Sequence, residues 1–235
     1  MDRIYPSSIA VIDPAQHTPE LACFNQISQM TALRTTYHVP ALHGFDTLCE
    51  DPKEYCGVVI LGSGASVYDE HPWQLVLHRW IEKAMTAGIP TLGICYGHQA
   101  IAHIQGGQVG LLYSGVKKKG VRSVQFGCDR LKISEQSGTM VVSHREGVTS
   151  LPADFEIIGR SQACTTDAIR HVSRPIWGVQ PHIEAVHQFC INNQIALENN
   201  SENFRFGHVI LSAFLSFVRD QVSVNTGPSR GEAEW

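Results

Sequence analysis

The segment Thr91–Gln99, TLGICYGHQ, contains the transition on which the fold depends. A short apolar run ends in the pattern Gly-x-Cys-x-Gly and passes directly into a segment of helical character. This pattern predicts a tight strand-to-helix corner with the Cys95 side chain at its tip, the geometry that presents a nucleophile at the top of an α/β sheet. We expect one of the two flanking glycines, Gly93 or Gly97, to tolerate an unusual φ, and both to leave room for the neighbouring strand and helix. Because a helix N-terminus favours a thiolate, the corner predicts a cysteine nucleophile.

A second motif lies in residues 175–184, PIWGVQPHIE, where a short apolar strand precedes two polar side chains. His182 and Glu184 are two residues apart, a spacing that places both side chains on one face of extended backbone. We therefore expect Glu184 to orient the His182 ring and His182 to take the proton of Cys95, as in a Cys-His-Glu triad. Each motif alone is weak, since a cysteine after an apolar strand is more often a core residue. The two motifs together, in this order along the chain, are far more specific for a catalytic site than either motif alone.

The two motifs resemble the two signatures of the class I glutamine amidotransferases, above all the glutaminase domain of GMP synthetase and its stand-alone homologues. Two further segments fit this resemblance. Residues 59–70 are similar to the loop of the family that forms part of the oxyanion hole. Residues 142–152 are similar to its Ser-His-x-Asp-x-Val segment, which ends in Leu-Pro. The four motifs cover roughly residues 57 to 185.

The resemblance implies a flavodoxin-like α/β fold: a mostly parallel central sheet flanked by helices, with a small antiparallel excursion. It also implies a reaction, in which Cys95 attacks the carboxamide of glutamine, ammonia leaves and water hydrolyses a γ-glutamyl thioester. The backbone N–H groups of Tyr96 and of the Ser63–Gly64 turn are the implied oxyanion donors, and such donors typically contribute a factor of about 10²–10³ each.

By the same resemblance, four residues are expected to bind the amino-acid end of the substrate: Gln99, Ser143, His144 and Arg145. The chain departs from the family pattern in three places. Gly62-Ser63-Gly64 stands where Gly-Gly-Pro is usual, and Pro181 precedes His182 rather than following it. Arg145-Glu146 replaces a small residue followed by an acidic one, which affects the identity of the substrate more than the chemistry.

Three functions remain open on the sequence. The first is a glutaminase that passes ammonia to a separate synthetase subunit, since no synthetase pattern is visible in the chain. The second is a γ-glutamyl hydrolase or peptidase that applies the same chemistry to larger γ-glutamyl amides. The third is a catalytically impaired homologue with a binding or regulatory role, suggested by the altered oxyanion turn and the displaced proline.

Composition and charge argue against some classes of binding partner. The 235 residues are 43% hydrophobic and 17% charged, with a net charge of −4. This balance gives no electrostatic case for binding nucleic acid or an anionic membrane. The resemblance implies a small-molecule substrate, glutamine or another γ-glutamyl compound. The run Lys117–Lys119 reads as a solvated turn. Seven scattered cysteines without metal-ligand spacing favour free thiols in the cytoplasm, and no metal or cofactor is implied.

Periodicity predicts the elements. We expect strands at 8–13, 36–42, 57–61 and 90–94, with shorter ones at 121–126, 139–143, 156–160 and 176–180. We expect helices at 19–30, 73–87, 96–105, from 185 to about 197, and 204–222. Residues 1–222 are predicted to form one domain and residues 223–235 a flexible tail.

Overall fold

The computed structural model describes residues 8–197 and 200–225. The strands of this part of the chain are β1 (Ser8–Ile12), β2 (Arg34–His38), β3 (Gly57–Ile60), β4 (Thr91–Ile94), β5 (Gln108–Leu111), β6 (Lys118–Cys128), β7 (Ile133–His144), β8 (Glu146–Ser150), β9 (Phe155–Arg160), β10 (Ala168–His171) and β11 (Ile176–Val179). The α-helices are α1 (Leu21–Gln29), α2 (Pro40–His43), α3 (Pro72–Thr86), α4 (Tyr96–Ile104), α5 (His187–Asn192) and α6 (Glu202–Asn225).

A nine-stranded sheet in the order β2-β1-β3-β4-β11-β10-β9-β6-β7 forms the centre of the molecule. The first five strands in this order are parallel, and the remaining four are antiparallel. Strands β5 and β8 form a separate antiparallel pair. The predicted fold class is confirmed. The antiparallel strands extend the main sheet, because β10 pairs directly with the edge of β11.

Helices cover both faces of the parallel strands. Successive residues of a strand point to opposite faces, so Val59 packs in one core with residues of α1 and α6. Its neighbours Val58 and Ile60 pack in a second core with residues of α3 and α4. This burial on both sides explains why the inner parallel strands β1, β3, β4 and β11 are almost wholly apolar. The edge strand β2, RTTYH, is mostly polar and only partly buried.

Several predicted boundaries differ from the structure. Strands β6 and β7 are longer than the strands expected at 121–126 and 139–143, and β5, β8 and β10 were not predicted. Strand β2 ends at His38, because Pro40 starts the short helix α2, where the missing N–H of proline has no consequence. The helix expected after Glu184 is only His187–Asn192. Helix α6 continues to Asn225, three residues into the predicted tail, and residues 226–235 lie outside the described part of the chain.

No helix within residues 8–197 and 200–225 combines the length and hydropathy of a bilayer-spanning segment.

Candidate active site

Cys95 lies in the corner between β4 and α4, at the carboxyl end of the parallel strands. Its φ of 52° and ψ of −100° are unusual for a residue with a Cβ. The Cys95 N–H donates to the Val179 carbonyl (2.9 Å), and its carbonyl accepts from the Gln99 N–H (3.1 Å). The strained conformation therefore belongs to the cysteine, held by the neighbouring strand and by the first turn of α4.

The expectation that a flanking glycine supplies the unusual φ was wrong, because neither Gly93 nor Gly97 has a positive φ. Both glycines are needed for close approach. A Cβ on Gly93 would collide with the backbone of Gly97, and a Cβ on Gly97 would collide with the carbonyl of Ile60. The helix thus packs directly on the backbone of two strands, which brings its N-terminus to Cys95.

His182 and Glu184 follow the end of β11. Because β11 pairs in parallel with β4, with Val179 beside Ile94, the chain after β11 emerges next to Cys95. The His182 Nδ1 atom lies 2.9 Å from Glu184 Oε1, and both side chains are buried. The His182 N–H donates to the Val141 carbonyl (2.8 Å), which anchors this loop to β7.

The imidazole of His182 and the thiol of Cys95 meet above Gly62. A Cβ at position 62 would lie 2.7 Å from His182 Cε1 and 3.5 Å from Cys95 Cβ. Gly62 was expected only to form part of a turn. In the structure it also lies beside both His182 and Cys95, and the absence of a side chain leaves room for the imidazole.

Electrostatics stabilises the charged form of the base. Burial by itself lowers the pKa of His182. The charges of Cys95 and Glu184, and hydrogen bonds to both, outweigh burial and raise the pKa to about 10. The raised pKa of His182 therefore depends on its two neighbours, Cys95 and Glu184.

The implied oxyanion donors lie beside Cys95. The Tyr96 N–H is in the first turn of α4, where helical N–H groups have no intrahelical acceptor. Neither it nor the N–H groups of Ser63 and Gly64 have an acceptor within the described ranges. The Ser63 hydroxyl donates to the Pro14 carbonyl (2.7 Å) and accepts from the Ala65 N–H (3.2 Å). The side chain at position 63 thus braces the turn against the loop after β1 and leaves the backbone N–H groups free.

The residues expected at the amino-acid end of the substrate have different environments. Gln99 donates to the Glu146 carbonyl (2.9 Å) and to Gln180 Oε1 (3.1 Å), so its amide nitrogen is occupied by structural contacts. The His144 Nδ1 atom contacts the Glu146 carbonyl (2.8 Å), and burial lowers the pKa of His144 to about 4. Ser143 Oγ and His144 Nε2 are buried and have no partner among the described residues. Arg145 is exposed.

Two cavities of about 250 Å³ each adjoin Cys95. Five residues line both of them: Ser63, Gly64, Cys95, Lys117 and Ser143. The Arg145 cavity is bounded on its own side by Gln99, His144, Arg145 and Glu146. The Glu20 cavity is bounded on its own side by Gln16, His17, Glu20, Asn192 and Asn193, together with His182 and Glu184. A larger depression of about 710 Å³, between residues 50–53 and the end of α3, includes none of these residues.

Lys117 is the site residue that the sequence analysis missed. Burial lowers the pKa of Lys117, an effect that the charge of Cys95 opposes. Lys118 and Lys119 begin β6 rather than lying in a solvated turn, and Lys119 Nζ donates to the Asn193 carbonyl (2.9 Å). Lys117 itself lies in the exposed segment just before β6, so strand periodicity gave no signal for its place beside Cys95.

Comparisons with known proteins identify a family and similar sequences. The family model for glutamine amidotransferase class-I matches residues 25–193. A glutamine-hydrolyzing GMP synthase of Thermosynechococcus vestitus is 35% identical over 56% of this chain and 24% of its own length. A protein named as one subunit of a glutamine-hydrolyzing GMP synthase, from Methanococcus aeolicus, is 32% identical over 59% of this chain and 69% of its own length. The chain spans only about a quarter to a third of the first GMP synthases that it matches.

Solved structures show the same fold at low sequence identity. A glutamine amidotransferase from Thermotoga maritima superposes with a TM-score of 0.72 at 20% identity, covering 89% of this chain and 98% of that one. A glutamine amidotransferase from Methylobacillus flagellatus gives 0.69 at 17% identity, covering 97% and 99%.

Proposed function

Because the chain belongs to the class-I glutamine amidotransferase family, we propose that it hydrolyses the side-chain amide of glutamine through a covalent intermediate on Cys95. The observation that carries the proposal is the convergence of Cys95, His182 and Glu184 at the end of two adjacent parallel strands. Acyl transfer needs a nucleophile beside a base, and a carboxylate that is hydrogen-bonded to the base and orients it.

In the proposed reaction, the Cys95 thiolate attacks the γ-carbonyl carbon of glutamine. The oxyanion is stabilised by the N–H of Tyr96 and by the N–H groups of the Ser63–Gly64 turn. The His182 imidazolium gives its proton to the departing nitrogen as the C–N bond breaks, which leaves a γ-glutamyl thioester. His182 then takes a proton from water, whose oxygen attacks the thioester to give glutamate and restore the thiolate.

The Arg145 cavity fits the amino-acid end of this substrate. The Arg145 cavity has a guanidinium at its rim, together with the unpartnered Ser143 Oγ and His144 Nε2. These groups suit the α-carboxylate and α-amino groups of a γ-glutamyl compound. Buried polar atoms without a partner are rare in native proteins, so a polar ligand or water is their expected partner.

We further propose that the ammonia is used by a separate synthetase domain or subunit. This proposal is supported by the Methanococcus aeolicus relative, whose name describes one subunit of a GMP synthase rather than the whole enzyme. The identity of the ammonia acceptor is left open.

Glutamate release from L-glutamine tests the proposal, beside covalent labelling by a glutamine analogue that carries a diazoketone in place of the carboxamide. We expect stoichiometric labelling of Cys95 in the wild type. The Cys95→Ala variant should not be labelled, and its turnover should fall at least about a thousandfold. The exposed thiol of Cys49 provides the matched control, since Cys49→Ala should be labelled and active like the wild type. A wild-type protein that neither reacts with the analogue nor releases glutamate would disprove the proposal.

A further inference from the structure

We propose that the Glu20 cavity binds the leaving group of a larger substrate, so that the protein hydrolyses γ-glutamyl amides whose amine component ends in a second, cationic amine. The inference rests on the proposed function and names a substrate class for the same thiol. It is carried by the position, size and charge of the Glu20 cavity.

The position follows from the chemistry of the base. In acyl transfer the group that protonates the leaving nitrogen lies on the leaving-group side of the scissile bond. His182 and Glu184 line the Glu20 cavity and are absent from the lining of the Arg145 cavity. With the γ-glutamyl group in the Arg145 cavity and the carbonyl above Cys95, the departing amine points into the Glu20 cavity.

The size exceeds what ammonia requires. The Glu20 cavity holds about 250 Å³, whereas a molecule of the size of water or ammonia needs about 30 Å³. The walls are ordered by hydrogen bonds at both sides. The buried carboxylate of Asp13 accepts from the N–H groups of Ala15 (3.0 Å) and Glu20 (2.7 Å) and from the Tyr37 hydroxyl (2.5 Å). The loop after β1 is therefore a formed wall of the cavity.

The charge of the cavity favours a cation. Glu20 Oε2 accepts from Asn192 Nδ2 (3.0 Å) and Oε1 from Asn193 Nδ2 (2.8 Å). No cationic side chain within the described ranges lies at ion-pair distance from Glu20. Two amides thus fix the carboxylate without neutralising it, and each oxygen retains acceptor capacity.

Neighbouring carboxylates add to the negative charge around Glu20. Burial, followed by the negative charges of Glu184 and Asp13, raises the pKa of Glu20 against the hydrogen bonds from the two asparagines. A cationic ligand beside Glu20 would relieve this unfavourable field. Lys117 lines the end of the cavity shared with Cys95, and Lys119 is held by the Asn193 carbonyl, so neither pairs with Glu20.

The step is balanced as a hydrolysis. The Cys95 sulfur forms a bond to the γ-carbonyl carbon, the C–N bond breaks, and the amine leaves with the proton of His182. Water then supplies one oxygen of the glutamate carboxylate. One of its protons restores His182, and the other converts the released neutral amine to its ammonium form. The products are glutamate and the diamine.

A matched series of three γ-glutamyl amides tests the inference. Their leaving groups share a four-carbon chain and end in an ammonium (1,4-diaminobutane), a methyl (n-butylamine) or a carboxylate (4-aminobutanoate). We expect kcat/KM for the ammonium-ended amide to exceed that of the methyl-ended amide about tenfold, with the carboxylate-ended amide slowest. The Glu20→Gln variant, which keeps one of the two hydrogen-bond acceptors and removes the charge, should reduce this ratio to near one.

The ratio is measured within each variant, so a partial loss of folded protein does not change it. Glu50→Gln, which removes an exposed carboxylate outside the cavity, should keep the wild-type ratio. If glutamine is hydrolysed by Cys95 but the ammonium-ended amide has no advantage, or Glu20→Gln leaves the advantage intact, the inference is wrong while the proposed function stands. If neither glutamine turnover nor diazoketone labelling is seen, the proposed function itself fails.

Discussion

Gly62 lets His182 reach Cys95. With any side chain at this position, the first carbon would lie well inside the contact distance of the imidazole Cε1. The ring is also packed against Phe189, with ring centroids 4.3 Å apart, so it has little freedom to move aside. The requirement for glycine at position 62 comes from the close approach of His182 and not from the backbone, since the φ of Gly62 is not positive.

Gly62→Ala is expected to reduce kcat for glutamine about a hundredfold, because a displacement of about 1 Å in a reacting group has an effect of this order. Steady-state kinetics and the melting temperature are the measurements. Gly110→Ala is the matched control, since its added methyl meets Thr149 at 3.2 Å, outside both cavities. Equal activity in the two variants would show that His182 does not need its present position.

At the scale of elements, α6 supports the loop that carries the base. Gly207 lies against the backbone of Ile183, between His182 and Glu184, where an added Cβ would be 2.9 Å from Ile183 Cα. One turn of the same helix also contacts this loop through His208 Nε2 and the Ala185 carbonyl (2.9 Å). The helix therefore sets the height of the loop above the sheet.

Gly207→Ala should lower kcat on the order of tenfold, with little change in KM. The added methyl group displaces the backbone at Ile183, and the side chains of His182 and Glu184 move with it. Helix propensity acts in the opposite direction, since alanine is favoured over glycine by about 1 kcal/mol within a helix. Kinetics combined with urea unfolding separates the two effects. The control is Ser216→Ala, further along α6. An unchanged kcat in Gly207→Ala would mean that the loop adjusts without cost.

At the scale of the whole molecule, stability depends on histidines that are buried in their neutral form. Burial lowers the pKa of His38 from 6.5 to about 4. The ring is enclosed by Thr36 Oγ1 (2.7 Å) and Thr47 Oγ1 (3.0 Å). Between pH 4 and 6.5 the unfolded chain binds a proton at His38 that the folded chain does not bind. The contribution of His38 to stability is therefore full above pH 6.5 and is lost as the pH falls toward 4.

We expect the free energy of unfolding of the wild type to fall more steeply with acidification than that of His38→Gln. The difference in slope should approach about 1.4 kcal/mol per pH unit near pH 5. Urea unfolding at about pH 5, 6 and 7 measures both slopes. Parallel curves for the two proteins would contradict the assignment of a neutral buried histidine.

Local pattern was sufficient to predict the elements that carry the site. The apolar runs before Cys95 and His182 predicted β4 and β11, because strands buried on both faces need apolar residues throughout. Helix α3 was predicted almost to its ends by the spacing of its apolar residues. The polar loops and short antiparallel strands of the second half were predicted less accurately, since their ends depend on pairing partners distant in sequence.

Local sequence pattern is enough to predict one cysteine at a strand-to-helix corner, a histidine and a glutamate two residues apart, and the class of fold. The groups that surround these residues follow from packing in three dimensions. The parallel pairing of β4 with β11 joins residues more than eighty positions apart, and the start of β6 brings Lys117 to the same thiol. Glu20 reaches the site because Asp13 and two asparagines of α5 and its end hold it there. Such contacts depend on packing between segments that are distant in sequence, so local propensity does not predict them.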